Sequence, residues 1–105
     1  MKENEFWELH NDLIDKIQET MMSKNSEYAR EDMLSNIKGS AALLGTTPEK
    51  ATMSLVSKHI VALCAFVNDL DKGIVQPLDR WDEKITDTII YMILLYILRR
   101  EKNGK

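Results

Sequence analysis

The fold turns on Gly45-Thr46-Thr47-Pro48-Glu49 and the residues that follow. Gly45 tolerates the left-handed backbone that closes a helix, Thr47 offers a side-chain oxygen as N-cap, and Pro48 suits the first helical position, where its missing N–H costs nothing. One helix ends here and another begins. From Pro48 onward, Met53, Val56, Ile60, Leu63, Val67 and Leu70 recur at steps of three and four residues, the period of one helix face. The spacing predicts a helix over 48–70, about 34 Å long, stopped by Asp71-Lys72-Gly73-Ile74-Val75-Gln76-Pro77.

Toward the N-terminus, Phe6, Leu9, Leu13, Ile14, Ile17 and Met21 keep the same period, with Glu5, Glu8, Asp12, Asp15 and Glu19 between them as a solvated face. This predicts a first helix over 4–23, ended by the polar cluster Ser23-Lys24-Asn25-Ser26. Residues 24–38 read as a loop passing into a short helix near 32–44. Toward the C-terminus, Asp79 is placed to cap a last helix from Arg80 to about Lys102. Asp82 and Glu83 stand in its first turn and Arg99, Arg100 and Lys102 in its last, as the helix dipole prefers. Its middle, Ile89-Ile90-Tyr91-Met92-Ile93-Leu94-Leu95-Tyr96-Ile97-Leu98, is apolar all round, which predicts a central helix or a subunit interface. The short β-branched stretch Ile74-Val75 is bounded by Gly73 and Pro77, so no strand is expected. The expected fold is all-α: a four-helix bundle-like single domain over 1–105 with a long apolar C-terminal helix.

The chain has 105 residues, 44% apolar and 30% charged, enough for one core and one domain. Fourteen Lys and Arg against seventeen Asp and Glu give a net charge of −3, so no global positive field favours generic DNA binding. The charge is uneven: residues 1–36 hold nine acids and four bases (−5), and residues 37–105 hold eight acids and ten bases (+2). The acidic third suits a cation or a basic partner. A lone cysteine, Cys64, inside the run Ile60-Val61-Ala62-Leu63-Cys64-Ala65-Phe66-Val67 excludes an intrachain disulfide and a cysteine metal cluster. It is expected to be embedded in a hydrophobic helix face, in a reducing compartment. Met1-Lys2-Glu3-Asn4-Glu5 lacks the pattern of a signal peptide. The longest apolar run is ten residues, where a bilayer span takes about twenty. The expected location is cytoplasmic, with no membrane partner. Trp7 and Trp81 are expected in a core or an interface.

Three groups of residues could carry chemistry. Glu83 and Asp87, four apart on the last helix, project from one face and could grip Mg²⁺ together; equally, Glu83 could pair with Arg80 or Lys84 on a solvated turn. Asp87 borders the most apolar part of the chain, where a buried carboxylate needs a base, a donor or a metal. Lys58 and His59 are a cationic and a titratable residue inside an apolar helix. Lys58 either snorkels to water, meets Glu83 or Asp87, or holds a ligand phosphate; His59 is either a hydrogen-bonded interior residue or a ligand contact. Glu27, Glu31 and Asp32, with Tyr28 and Asn36, supply carboxylates, an aromatic face and an amide that could stack a base and read its edge, or form a plain polar loop. No nucleophilic triad, Gly-rich phosphate loop or zinc spacing is present, since His10 is far from His59 in sequence.

The stretch 24–98 resembles the small phage-type proteins of the nucleotide modification associated domain 1 family, related in style to MazG-like all-α NTP pyrophosphatases. The carriers are Lys24-Asn25-Ser26-Glu27-Tyr28-Ala29, Leu34-Ser35-Asn36-Ile37-Lys38, Lys58-His59 and Trp81-Asp82-Glu83-Lys84-Ile85-Thr86-Asp87-Thr88-Ile89-Ile90-Tyr91, in matching order and spacing. The resemblance implies a helical domain that handles nucleotides in phage nucleotide metabolism or base modification, within the host cytoplasm. It implies helix-borne carboxylates holding Mg²⁺ against the phosphates. Glu83 and Asp87 match the second acidic pair, although three residues separate them where the MazG pattern has two. No paired Glu motif is evident between Pro48 and Leu70, which leaves Glu27 and Glu31 as its replacement.

The expected function is thus a Mg²⁺-dependent (d)NTP pyrophosphatase-like protein. Glu83, Asp87 and Lys58 are its catalytic candidates. Glu83, Asp87, Glu27 and Glu31 are its metal ligands, and Tyr28, Asn36, Lys38 and His59 its substrate contacts. The alternatives are a non-catalytic helical module for a nucleotide or a host protein, and an oligomerising bundle. The all-round apolar last helix makes a homo-oligomer the expected state.

Overall fold

A computed structural model describes residues 1–28 and 34–102, with the backbone alone given for 24–28 and 102. Glu31 and Asp32 lie outside the described residues. Among those described there are four helices and no strand: α1 (Glu3–Tyr28), α2 (Ser35–Leu44), α3 (Pro48–Leu70) and α4 (Leu78–Lys102). The all-α expectation holds. The chain divides into two compact units, 1–33 and 34–105.

The first unit is α1, longer than its sequence pattern suggests. It runs through Ser23-Lys24-Asn25-Ser26, so Glu27 and Tyr28 belong to a helix and not to a loop. The cluster contains no Gly or Pro, and Ser and Asn cost a helix only a few tenths of a kcal/mol each, too little to stop one. Near its start, Phe6, Trp7 and His10 contact one another edge to face, with centroids 5.2 Å and 5.1 Å apart.

The second unit packs α3 against α2 and α4. The turn between α2 and α3 forms by local chemistry. Gly45 takes φ 68°, and the Thr46 N–H donates to the Ala41 carbonyl, a helix-closing pattern. The Lys50 N–H donates to Thr47 Oγ1 at 3.2 Å, and Pro48 opens the helix. Gly73, at φ 74°, serves the turn after α3, where the Ile74 N–H reaches back to the Asp69 carbonyl. Helix α4 starts at Leu78 rather than Arg80. The Pro77 carbonyl accepts from the Arg80 N–H, which places Asp79 inside the first turn instead of at the cap.

Leu34, Ile37 and Leu98 form a buried cluster, with Leu55, Tyr91 and Leu94 packed against it. Val56 is fully buried. At the other end, Phe66 meets Trp81 edge to face at 5.3 Å, with the Arg80 guanidinium over the Phe66 ring. Arg99 donates to Glu49 at 3.1 Å, and Lys38 pairs with Glu101 at 2.8 Å.

Two expectations change here. The more apolar long helix is α3, not the C-terminal one. Helix α4 carries ten charged residues that offset its apolar middle, whereas α3 carries four, Glu49, Lys50, Lys58 and Asp69. Among the described residues α3 alone is long and apolar enough, by length and composition, to cross a membrane. Cys64 is exposed rather than embedded, because it lies on the side of α3 opposite Thr52, Val56 and Phe66, the buried positions.

Candidate functional site

The contact between α3 and α4 runs from Phe66 and Trp81 at one end to the Arg99–Glu49 pair at the other, with titratable groups in its middle. Glu83, Asp87 and Tyr91 follow one another at four-residue steps, so they share a face of α4. His59 on α3 meets that face. Its Nε2 lies 3.9 Å from Asp87 Oδ2, and each side chain is 19% exposed. The distance brings the groups into electrostatic contact but exceeds the reach of a direct hydrogen bond. The Tyr91 ring stacks on the imidazole, centroids 5.7 Å apart and planes 24° from parallel.

Burial, together with the adjacent negative charge of Asp87, pushes the Tyr91 hydroxyl above its ordinary range of ionisation. Tyr91 is therefore a neutral donor at working pH. Two buried atoms, His59 Nδ1 at this contact and Thr86 Oγ1, next to Asp87 in sequence, have no hydrogen-bond partner among the described residues. Such an atom costs about 1–3 kcal/mol.

The predicted residues distribute unevenly. Asp87 and His59 come together, so the imidazole is one of the groups that meet the half-buried acid. Lys58 is exposed and makes no ion pair with Glu83 or Asp87 among the described residues. Glu83 keeps a side chain 65% exposed, 3.9 Å from the Lys84 ammonium. Asn36 is exposed on α2, and the Lys38 ammonium is engaged by Glu101. The side chains of Glu27, Tyr28 and Glu31 lie outside the described residues. Among the described residues, no group of three His, Cys, Asp or Glu is arranged to hold a metal ion. Tyr91 joins the site although nothing in the sequence pattern singles it out beyond its position four residues after Asp87.

No family model matches this chain, and neither a curated protein nor a solved structure matches it.

Proposed function

We propose that this chain handles a nucleotide as a Mg²⁺-dependent pyrophosphatase-like protein, with the polar middle of the α3–α4 contact as its working face. The observation that supports this is the His59–Asp87–Tyr91 cluster, with the orphaned His59 Nδ1. Titratable groups are set there against apolar helix interiors, a placement that is frequent at functional sites.

The donor set suits Mg²⁺ that arrives with its substrate. Mg²⁺ keeps several waters and takes one or two carboxylates plus phosphate oxygens; Glu83, exposed, and Asp87, one turn on, are two such carboxylates. Bound there, the ion would offset charge on the phosphates. The exposed Lys58, beside His59 in sequence, supplies a further positive charge toward a phosphate. His59 Nε2, facing Asp87, can accept or return a proton, and the neutral Tyr91 hydroxyl can donate a hydrogen bond. Asn36, exposed on α2, contacts the base in this proposal.

The test is pyrophosphate release from a panel of (d)NTPs with and without Mg²⁺, comparing wild type with Glu83→Gln and Asp87→Asn. Metal-dependent turnover lost in both variants is the expected result. A second reading is a non-catalytic nucleotide-binding module, favoured by Asp87 already having His59 as a partner. Absence of turnover, with calorimetric nucleotide binding that survives both substitutions, would establish that reading and remove the catalytic one.

A further inference from the structure

Helix α3 has an outer stripe that the core of the second unit does not use. Met53, Ser57, Ile60, Cys64 and Val67 are all exposed and recur at steps of three and four, so they form one line along the helix. Val61 beside them is 68% exposed. No charged residue falls on this line between its ends, since Lys58 and Asp69 project from other sides of the helix. An uncharged strip of this length on a charged chain marks an interaction surface.

The ends of the stripe identify its partner. Lys50 stands at one end and Asp71 at the other, both exposed, and neither has an ion-pair partner among the described residues. Glu49, the acid next to Lys50, is taken by Arg99. We propose that α3 packs antiparallel against α3 of a second copy of this chain, about a two-fold axis between Ile60 and Val61. In that register Ile60 meets the partner's Val61, Ser57 meets the partner's Cys64, and Lys50 meets the partner's Asp71 at both ends. Parallel packing sets Lys50 against Lys50 and Asp71 against Asp71, and a slipped antiparallel register loses both charge pairs together. The surface is its own complement, as a two-fold interface requires. The proposal stands independently of the nucleotide reading, which uses the opposite side of α3.

The test uses the full chain. Light scattering should give twice the 12.1 kDa chain mass for the wild type, and one chain mass for Ile60→Glu with an unchanged far-ultraviolet spectrum. Lys50→Asp should weaken the dimer, and adding Asp71→Lys should restore it. Ser57→Cys supplies the register: mild oxidation should link the introduced thiol to the partner's Cys64 and give a covalent dimer on a non-reducing gel. The wild type should stay uncrosslinked, because the two Cys64 residues are offset by about 10 Å along the axis. A link within one chain is excluded by the same separation along a single helix. Three results would overturn the proposal: a wild-type monomer at about 100 µM, well above the range of specific dimers; a dimer indifferent to Ile60→Glu; or a failure of Ser57→Cys to crosslink. The second would place the contact on another surface. A monomer whose helicity collapses on Ile60→Glu would likewise overturn it, since the stripe would then be covered within the chain.

Discussion

Helices α3 and α4 are nearly equal in length, 23 and 25 residues, yet they spend their apolar residues differently. Helix α4 concentrates them in one run between charged ends; the core takes Ile90 and Leu98 from that run and leaves Met92, Tyr96 and Ile97 exposed. Helix α3 spreads them along its length with few charges. It commits Val56 and Phe66 to the core and leaves Met53, Ile60, Val61 and Val67 outside. Hydrophobicity and burial part company in both helices, but only in α3 does the exposed apolar surface run nearly the length of the helix without a charge. A helix with more apolar surface than its own core consumes has a second surface to cover, whereas α4 needs its charged ends to close the unit through Arg99–Glu49 and Lys38–Glu101.

A pair of truncations puts this contrast under the greatest load. Leu98→Ala should cost about 3 kcal/mol, because Leu98 is 1% exposed within the α2–α4 core and the cavity has no easy way to collapse. Met53→Ala, at a position 47% exposed, should cost about 0.5 kcal/mol or less. Urea denaturation at a concentration where the chain is monomeric measures both. Equal losses would mean that the outer stripe of α3 is core after all.

A smaller effect separates how the two helices begin. Thr47→Ala removes the side-chain acceptor that serves the Lys50 N–H and should cost about 1 kcal/mol, measurable in the same titration and recovered by Thr47→Ser. Helix α4 starts on the backbone of Pro77, so Asp79→Ala should cost less than the α3 cap does.

The smallest effect concerns pH. The ionisation of Tyr91 is raised in the folded chain, so from about pH 10 upward the unfolded chain releases this proton first and the folded state loses stability. The contribution is fully present below the ordinary tyrosine range and is lost as pH rises through the folded value. Tyr91→Phe should flatten this alkaline decline in thermal melts between neutral pH and about pH 11. A decline of unchanged slope would show that the hydroxyl is held neither by burial nor beside Asp87 in the folded chain.

What is legible in the residues follows from the range of the forces involved. Gly45, Thr47 and Pro48 act within a few residues of themselves, and the α2–α3 turn and the bounds of α3 come out as their chemistry predicts. The end of α1 does not, because a run of Ser, Lys and Asn is a weak stop without Gly or Pro. At the candidate site, the need of Asp87 for a partner is readable from its apolar neighbours. That the partner is His59 and not Lys58 is not, because the two share a helix turn and differ only in which side faces α4. Cys64 escapes the pattern for the same reason: an unbroken apolar run does not state its rotation about the helix axis.

Residue order is enough to make the chain helical, to set where α3 begins and ends, and to require company for a carboxylate at 87. Those are matters of local backbone preference and of the cost of desolvating a charge. Which face of α3 turns inward is a property of the packed unit. The rotation is set by how side chains of α2, α3 and α4 fill the space between them, and no residue carries that information without its neighbours. Packing brought His59 to Asp87 across 28 positions of sequence and left the line from Met53 to Val67 facing out.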